Sequence, residues 1–184
     1  MNNRQTHGFS LIELLIVVAI ILIIAAIAIP NLLRSKMAAS DSAAAETIRL
    51  LDTAQFTYAT NFPQLGYAAT FTALGPNSAP PTCDSTGFCL IDNVIAATAN
   101  GPSPKGGYQY WLQPAAPTAS GTIADYAFTA EPQNLNTTGS NVYCTTSDAV
   151  IRSQRDAGLV PKAPGAAVPI AVCKSPTTYD ALRN

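Results

Sequence analysis

The sequence predicts an α+β fold in which a long N-terminal α-helix, first hydrophobic and then amphipathic, packs on a C-terminal antiparallel β-sheet. Three observations predict it. Residues 9–29 are apolar except for Ser10 and Glu13. Helical spacing of apolar residues then continues to about Thr60. Between residues 107 and 151, segments rich in aromatic and β-branched residues alternate with turn-forming clusters.

The apolar run is long enough to span a membrane. A helix over residues 9–29 would be about 31 Å long, against a hydrocarbon core of about 30 Å. Glu13 lies inside the run near its start, where a carboxylate costs a few kcal/mol or more in lipid and usually marks function. Taken alone, Glu13 is also consistent with a side chain that extends to the lipid–water interface. There its negative charge is stabilised by the positive N-terminal end of the helix dipole.

The residues around Glu13, G-F-S-L-I-E at positions 8–13, resemble the processing signature of type IV prepilins and related pseudopilins. The resemblance implies that a prepilin peptidase cuts between Gly8 and Phe9 and methylates the new amine of Phe9. It also implies that Glu13 neutralises the terminal amine of a neighbouring subunit during assembly. An unpaired buried charge costs about 3–5 kcal/mol, so this pairing would select one axial register.

The second half of the long helix is predicted to be amphipathic. Pro30 ends the lipid-length segment, because proline kinks or breaks a helix, and in the pilin family a proline here marks a joint. Residues 31–60 contain neither Gly nor Pro, and residues 61–63 are expected to end the helix. The apolar stripe expected to pack on the head contains Met37, Ala44, Ile48, Leu51 and Tyr58. The charged residues placed on other faces are Asp41, Glu46, Arg49 and Asp52.

The rest of the chain predicts a globular head. Short helices are expected near residues 69–74 and 90–96, and residues 101–107 form a cluster of helix and strand breakers. Strands are predicted at residues 108–112, 126–130, 142–144 and 149–152, and the last two would form a hairpin. The order of these strands is similar to that in some pilin and pseudopilin heads. The predicted parts are a leader (1–8), a membrane or filament-core helix (9–30), an amphipathic helix (31–62) and a head (63–184).

The cysteines indicate disulfide bonds, because an even number in a small extracytoplasmic domain is typical of them. Four cysteines allow three connectivities. We favour Cys83–Cys89, which brackets a short turn, and Cys144–Cys173, which would tie the loop after residue 155 to the body. A C-terminal disulfide loop of this kind resembles many type IV pilins. No metal site is predicted, since the Cys-x5-Cys spacing suits zinc poorly.

The composition argues against catalysis and nucleic-acid binding. The one histidine lies in the leader, so the mature chain would lack a histidine base. No phosphate-binding glycine loop is present. A net charge of −1 gives no basic excess for nucleic acid. The sequence therefore predicts no enzymatic activity and no cofactor.

With the resemblance, the sequence predicts a structural subunit of a type IV pilus that forms a homopolymer. The precursor would wait in the bacterial inner membrane as a single-pass protein with its head outside, and a pilus assembly platform would lift it into an extracellular filament. The alternative within this architecture is a type II secretion pseudopilin or a minor pilin. A different class is a membrane anchor with a ligand-binding head, for which Gly8 would be irrelevant.

Overall fold

A computed structural model describes residues 9–76, 83–155, 168–175 and the backbone of 180–181. The leader residues 1–8 and most of the predicted C-terminal loop, 156–167, lie outside the described residues. The helices are α1 (Leu11–Asn61), α2 (Phe71–Leu74), α3 (Asn93–Ala96) and α4 (Ile170–Cys173). The strands are β1 (Ser103–Lys105), β2 (Tyr108–Pro114), β3 (Tyr126–Pro132), β4 (Val142–Thr146), β5 (Arg152–Gln154) and β6 (Asp180–Ala181). The predicted α+β class is confirmed.

The chain divides into two compact units, Met1–Lys36 and Met37–Asn184. In the second unit, apolar residues at helical spacing pack α1 on the sheet. The core contains four of the five predicted stripe residues, Ala44, Ile48, Leu51 and Tyr58. Met37 is only half-buried and lies outside this core. Burying one large apolar side chain contributes about 1.5–3 kcal/mol, so the stripe holds this part of α1 on the sheet.

The six strands follow one another in chain order and are all antiparallel to their neighbours. In β3 successive side chains point to opposite faces. Tyr126, Phe128 and Ala130 belong to the core that includes α1. Thr129 points the other way, and its hydroxyl oxygen accepts a hydrogen bond from the Val168 N–H at 3.1 Å. Both faces of the central strand are therefore covered.

The C-terminal segment covers the second face of the sheet through a disulfide bond. Cys144 of β4 is bonded to Cys173 of α4, and both are fully buried beside Val142 and Val168. The second bond, Cys83–Cys89, closes a short loop. Tyr58 of α1 ties this loop to the helix by donating its hydroxyl to the Ser85 carbonyl oxygen at 2.7 Å. The structure thus contains the pairing favoured in the sequence analysis.

One strand was missed by the sequence analysis, and one predicted strand was displaced. β1 lies inside the predicted breaker cluster, where Pro104 is tolerated because β1 is an edge strand. The predicted strand 149–152 begins too early. Ala149 has a left-handed φ of +55°, and Val150 is exposed, so both belong to the turn and β5 begins at Arg152. The short α4 and β6 were not predicted.

Removing the Cys144–Cys173 bond is expected to lower the free energy of unfolding by about 3–4 kcal/mol, because the two residues are 29 positions apart. Replacing Cys83 and Cys89, which are 6 positions apart, should lower the free energy of unfolding by only about 2 kcal/mol. The unfolded chain regains less conformational entropy when a shorter loop is opened. Denaturant unfolding of the two double Cys→Ser variants, as full chains in detergent, measures the difference. A larger loss for the short loop would contradict the prediction.

Candidate functional site

The predicted cleavage and assembly residues lie at the beginning of α1. Gly8 lies outside the described residues, so the structure describes only the Phe9 side of the predicted cleavage bond. The Phe9 side chain is 78% exposed. Glu13 lies in the first turn of α1, where its Oε2 accepts a hydrogen bond from the Ser10 N–H at 3.2 Å.

The first unit presents a continuous apolar surface. Every large apolar side chain from Leu11 to Leu33 is between 45% and 80% exposed. Glu13 is the one charged residue in this stretch. By length and composition, α1 contains a segment able to cross a membrane. An apolar surface of this extent is stable only in lipid or against another protein surface.

Pro30 lies within α1, which continues from Leu11 to Asn61 although proline has no N–H to donate within the helix. The structure therefore does not break the helix at this residue. The joint that the family resemblance implies at Pro30 stays a prediction. Among the described residues, no group of three or more His, Cys, Asp or Glu is placed to hold a metal ion.

Comparison with known proteins finds a family motif in the N-terminal segment and two similar pilus proteins. Residues 3–29 match the family described as the prokaryotic N-terminal methylation motif. The type IV major pilin protein PilA of Myxococcus xanthus is 51% identical over 53 residues, which span 29% of this chain and only 24% of that protein. The type IV wide pilus major component PilA4 of Thermus thermophilus is 36% identical over 100 residues, which span 53% of this chain and 70% of that protein.

The chain belongs to the type IV pilin family. Both relatives are named as pilus components. No solved structure matches the chain. The long apolar helix and the antiparallel sheet are thus the fold of a pilin, and the prediction from residues 8–13 is confirmed at the level of the family.

Two aspartates of this pilin's α1 are buried, although they were predicted on other faces of the helix. Asp41 is 7% exposed and Asp52 is 5% exposed, whereas Glu46 and Arg49 are exposed as predicted. Within the described part of the chain, neither buried carboxylate forms an ion pair with a lysine or arginine. Each carboxylate must therefore be stabilised by neutral hydrogen-bond donors.

Asp41 receives four such hydrogen bonds. The donors are the hydroxyl of Tyr108, the N–H of Ser140 at 3.0 Å, the hydroxyl of Ser140 at 2.6 Å and the amide of Asn141 at 2.7 Å. Gly139 leaves room for this arrangement, because a Cβ there would lie 2.3 Å from the Tyr108 hydroxyl oxygen and 2.7 Å from Asp41 Oδ1. The cluster therefore joins α1 to the loop between β3 and β4.

Asp52 is held by two hydroxyl groups of the sheet. Tyr126 donates to Oδ1 and Thr145 donates to Oδ2, both at 2.9 Å. Burial raises the pKa of Asp52 to about 7, although the hydrogen bonds from Tyr126 and Thr145 lower it and the charge of Asp148 adds to the rise. Burial and the nearby Asp52 also raise the pKa of Tyr126, which stays a protonated donor.

One signal in the sequence could have indicated these buried aspartates. Asp41 and Asp52 are about three helical turns apart, so they lie on the same side of α1 as Ile48. The residues that satisfy them come from distant strands and loops, and no local pattern identifies those partners.

Replacing Asp41 by alanine is expected to lower the free energy of unfolding by about 3 kcal/mol, because it removes the acceptor of four hydrogen bonds, including those from the half-buried Ser140 N–H and Asn141 amide. Asp41→Asn should lower the free energy of unfolding by less, since the amide oxygen still accepts hydrogen bonds from these donors. Glu46→Ala is the matched control on the same helix and should change stability by less than about 0.5 kcal/mol. Equal denaturation midpoints for Asp41→Ala and Glu46→Ala would refute the structural role of the cluster.

Stability is expected to fall as the pH rises from 4 to 8. The folded chain holds a proton on Asp52 up to about pH 7, whereas the unfolded chain releases it near the ordinary pKa of 3.8. The folded state thus binds more protons in this window, and the difference between the two values corresponds to at most roughly 4 kcal/mol. Denaturant unfolding of full chains at several pH values measures this slope. Asp52→Asn should flatten it and Glu46→Gln should not; a slope retained in Asp52→Asn would assign it to another group.

Proposed function

We propose that this chain is a structural subunit of a type IV pilus, made as a prepilin and polymerised through the apolar part of α1. The observation that carries the proposal is the apolar surface of residues 11–33, on which every large apolar side chain is exposed and Glu13 is the one charged residue. The methylation motif and the relatives, named as a major pilin and a wide pilus major component, support it.

Each part of the chain has a role in this proposal. A prepilin peptidase removes residues 1–8 by cutting between Gly8 and Phe9, and it methylates Phe9. Residues 9–30 anchor the precursor in the inner membrane and later form the filament core, while Pro30 serves as a joint. Residues 31–62 form the amphipathic half of the helix, and residues 63–184 form the head on the outer side. A pilus assembly platform moves the subunit from lipid into the filament.

The apolar surface of α1 alone does not drive assembly. Lipid tails are as apolar as leucine, so transfer from lipid to a helix bundle depends on packing and polar contacts. Glu13 supplies such a contact if it pairs with the methylated Phe9 amine of a neighbour. An unpaired charge in this place would cost about 3–5 kcal/mol, which penalises wrong registers. Such a contact joins two different surfaces, so it propagates into a helical filament when the rotation between subunits does not close a ring.

Mass spectrometry of material sheared from the cell surface tests this proposal. We expect a filament whose most abundant polypeptide begins at N-methylated Phe9. A chain that retains Met1 and stays in the membrane fraction would refute the proposal and favour an ordinary membrane anchor. A processed chain that is scarce in sheared filaments would instead indicate a minor pilin or a type II secretion pseudopilin.

A further inference from the structure

Two exposed cations follow directly after the apolar surface of α1. Arg34 comes immediately after Leu33, Lys36 lies two residues further on, and both belong to the first compact unit. They are the first charged residues after Glu13. A long cationic side chain at the end of an apolar helix keeps its stem on apolar surroundings and extends its charge toward the membrane surface.

Arg34 and Lys36 differ from the other charged residues of α1 in what they contact. Among the described residues, neither forms an ion pair with a carboxylate. Every other charged side chain of this helix has a hydrogen-bond or ion-pair partner within the chain, namely Glu13, Asp41, Glu46, Arg49 and Asp52. The two cations are therefore available to an anion from outside the chain.

The length of the apolar segment indicates which anion they meet. A helix from Leu11 to Leu33 is about 33 Å long, against a hydrocarbon core of about 30 Å. The headgroup region extends roughly 5–8 Å further on each side, so Arg34 and Lys36 would lie among the lipid phosphates. A guanidinium group can donate two parallel hydrogen bonds to one phosphate, and an ammonium group provides a compact charge with three donors.

The two cations do not serve to orient the helix. Cytoplasmic segments beside a membrane helix usually carry the excess of lysine and arginine. With the head on the outer side, as in the proposed function, Arg34 and Lys36 lie outside, whereas the leader contributes only Arg4. Their position therefore opposes the usual charge rule, and contact with phosphate is the favourable interaction that it allows.

We propose that Arg34 and Lys36 bind the phosphate groups of outer-leaflet phospholipids and thereby fix the depth of the membrane anchor. This inference rests on the anchoring and orientation in the proposed function. The polar leader limits movement of the apolar segment at one surface of the bilayer, and the two phosphate contacts limit it at the other. These contacts have to break when the subunit leaves the bilayer for a filament.

Solid-state NMR of the full-length precursor tests the phosphate contact. The protein carries isotope-labelled arginine guanidinium carbons in bilayers of phosphatidylethanolamine and phosphatidylglycerol, and lipid phosphorus dephases the carbons close to it. We expect this dephasing to decrease in Arg34→Gln and to stay unchanged in Arg49→Gln, the matched control on the same helix. Equal dephasing in Arg34→Gln and the unaltered chain would overturn the contact. Dephasing of Arg34 by labelled carboxylates of a second copy would instead assign the partner to another subunit.

A reporter thiol tests the depth of the anchor. Ala38→Cys adds one free thiol, because the chain's own cysteines are paired in disulfides. With Arg34→Gln and Lys36→Gln together, no charge is left between Leu33 and Asp41, so the helix can slide deeper into the bilayer. In lipid nanodiscs, a membrane-impermeant maleimide should then react roughly fivefold more slowly, the factor expected from the loss of one surface cation.

Exchanging the two cations, Arg34→Lys with Lys36→Arg, should restore the reaction rate, and Arg49→Gln should not change it. An unchanged rate in the double glutamine variant would overturn the role in setting depth. A precursor that does not insert into nanodiscs would refute the membrane anchoring in the proposed function. Insertion without phosphate contact would overturn this inference alone.

Discussion

Replacing Gly8 by valine is expected to leave the whole population as uncleaved precursor and to abolish surface filaments. Glycine has no Cβ, so its backbone can approach a protein surface more closely than that of any other residue. The methylation motif over residues 3–29 includes this position, and the predicted cut follows it. An uncut chain would also bring a polar leader with Arg4 to the end of the apolar helix, where the methylated amine should be.

A substitution at the neighbouring residue provides the matched control. His7→Val introduces the same side chain one residue earlier in the leader and should still be cleaved. Mass spectrometry of membrane and sheared fractions distinguishes chains that begin at Met1 from chains that begin at Phe9. A Gly8→Val chain that begins at methylated Phe9 would show that Gly8 does not define the cleavage site.

Replacing Glu13 by alanine is expected to permit cleavage and methylation but to prevent filament formation. In the proposed assembly, the substitution would leave the methylated amine of the neighbouring subunit without a counter-charge in an apolar bundle, at a cost of about 3–5 kcal/mol per contact. Because the contact repeats along a polymer, this cost applies to every added subunit. The measurement is the amount of sheared filament, together with the N-terminal mass of the subunit that stays in the membrane.

Glu46→Ala is the matched control for this second substitution. Glu46 lies on the same helix, and its exposed carboxylate is 3.4 Å from Arg49, an exposed pair that contributes little to stability. Its loss should leave filaments unchanged. Normal filament yield from Glu13→Ala would exclude charge pairing as the assembly device, although cleavage at Gly8 could still occur.

The two substitutions together distinguish a pilin subunit from an ordinary membrane anchor. In an anchor, neither Gly8 nor Glu13 would affect surface material, since the helix would stay in the bilayer as a single copy. In a pilin subunit, the first substitution blocks processing and the second blocks a later step. The mass of the chain that stays in the membrane therefore distinguishes the two defects. This chain begins at Met1 when processing is blocked and at Phe9 when only assembly is blocked.

Much of the fold follows from local patterns. The apolar stripe predicted the part of α1 that packs on the sheet, because helical periodicity depends only on residues a few positions apart. The same reasoning located β2 and β3, which begin at the predicted residues Tyr108 and Tyr126 and continue beyond the predicted ends to Pro114 and Pro132. β1 was missed because an edge strand containing Pro104 has no local strand pattern.

The amino-acid sequence was sufficient for the long apolar helix, its one carboxylate and the family, because these depend on neighbouring residues and on side-chain chemistry. The burial of Asp41 and Asp52 required contacts between distant parts of the chain. Tyr108 and Ser140 are 67 and 99 positions from Asp41, and Thr145 is 93 positions from Asp52. A charged side chain on a helix is buried only where such donors converge, and the strands β2, β3 and β4 bring them together only in the folded chain.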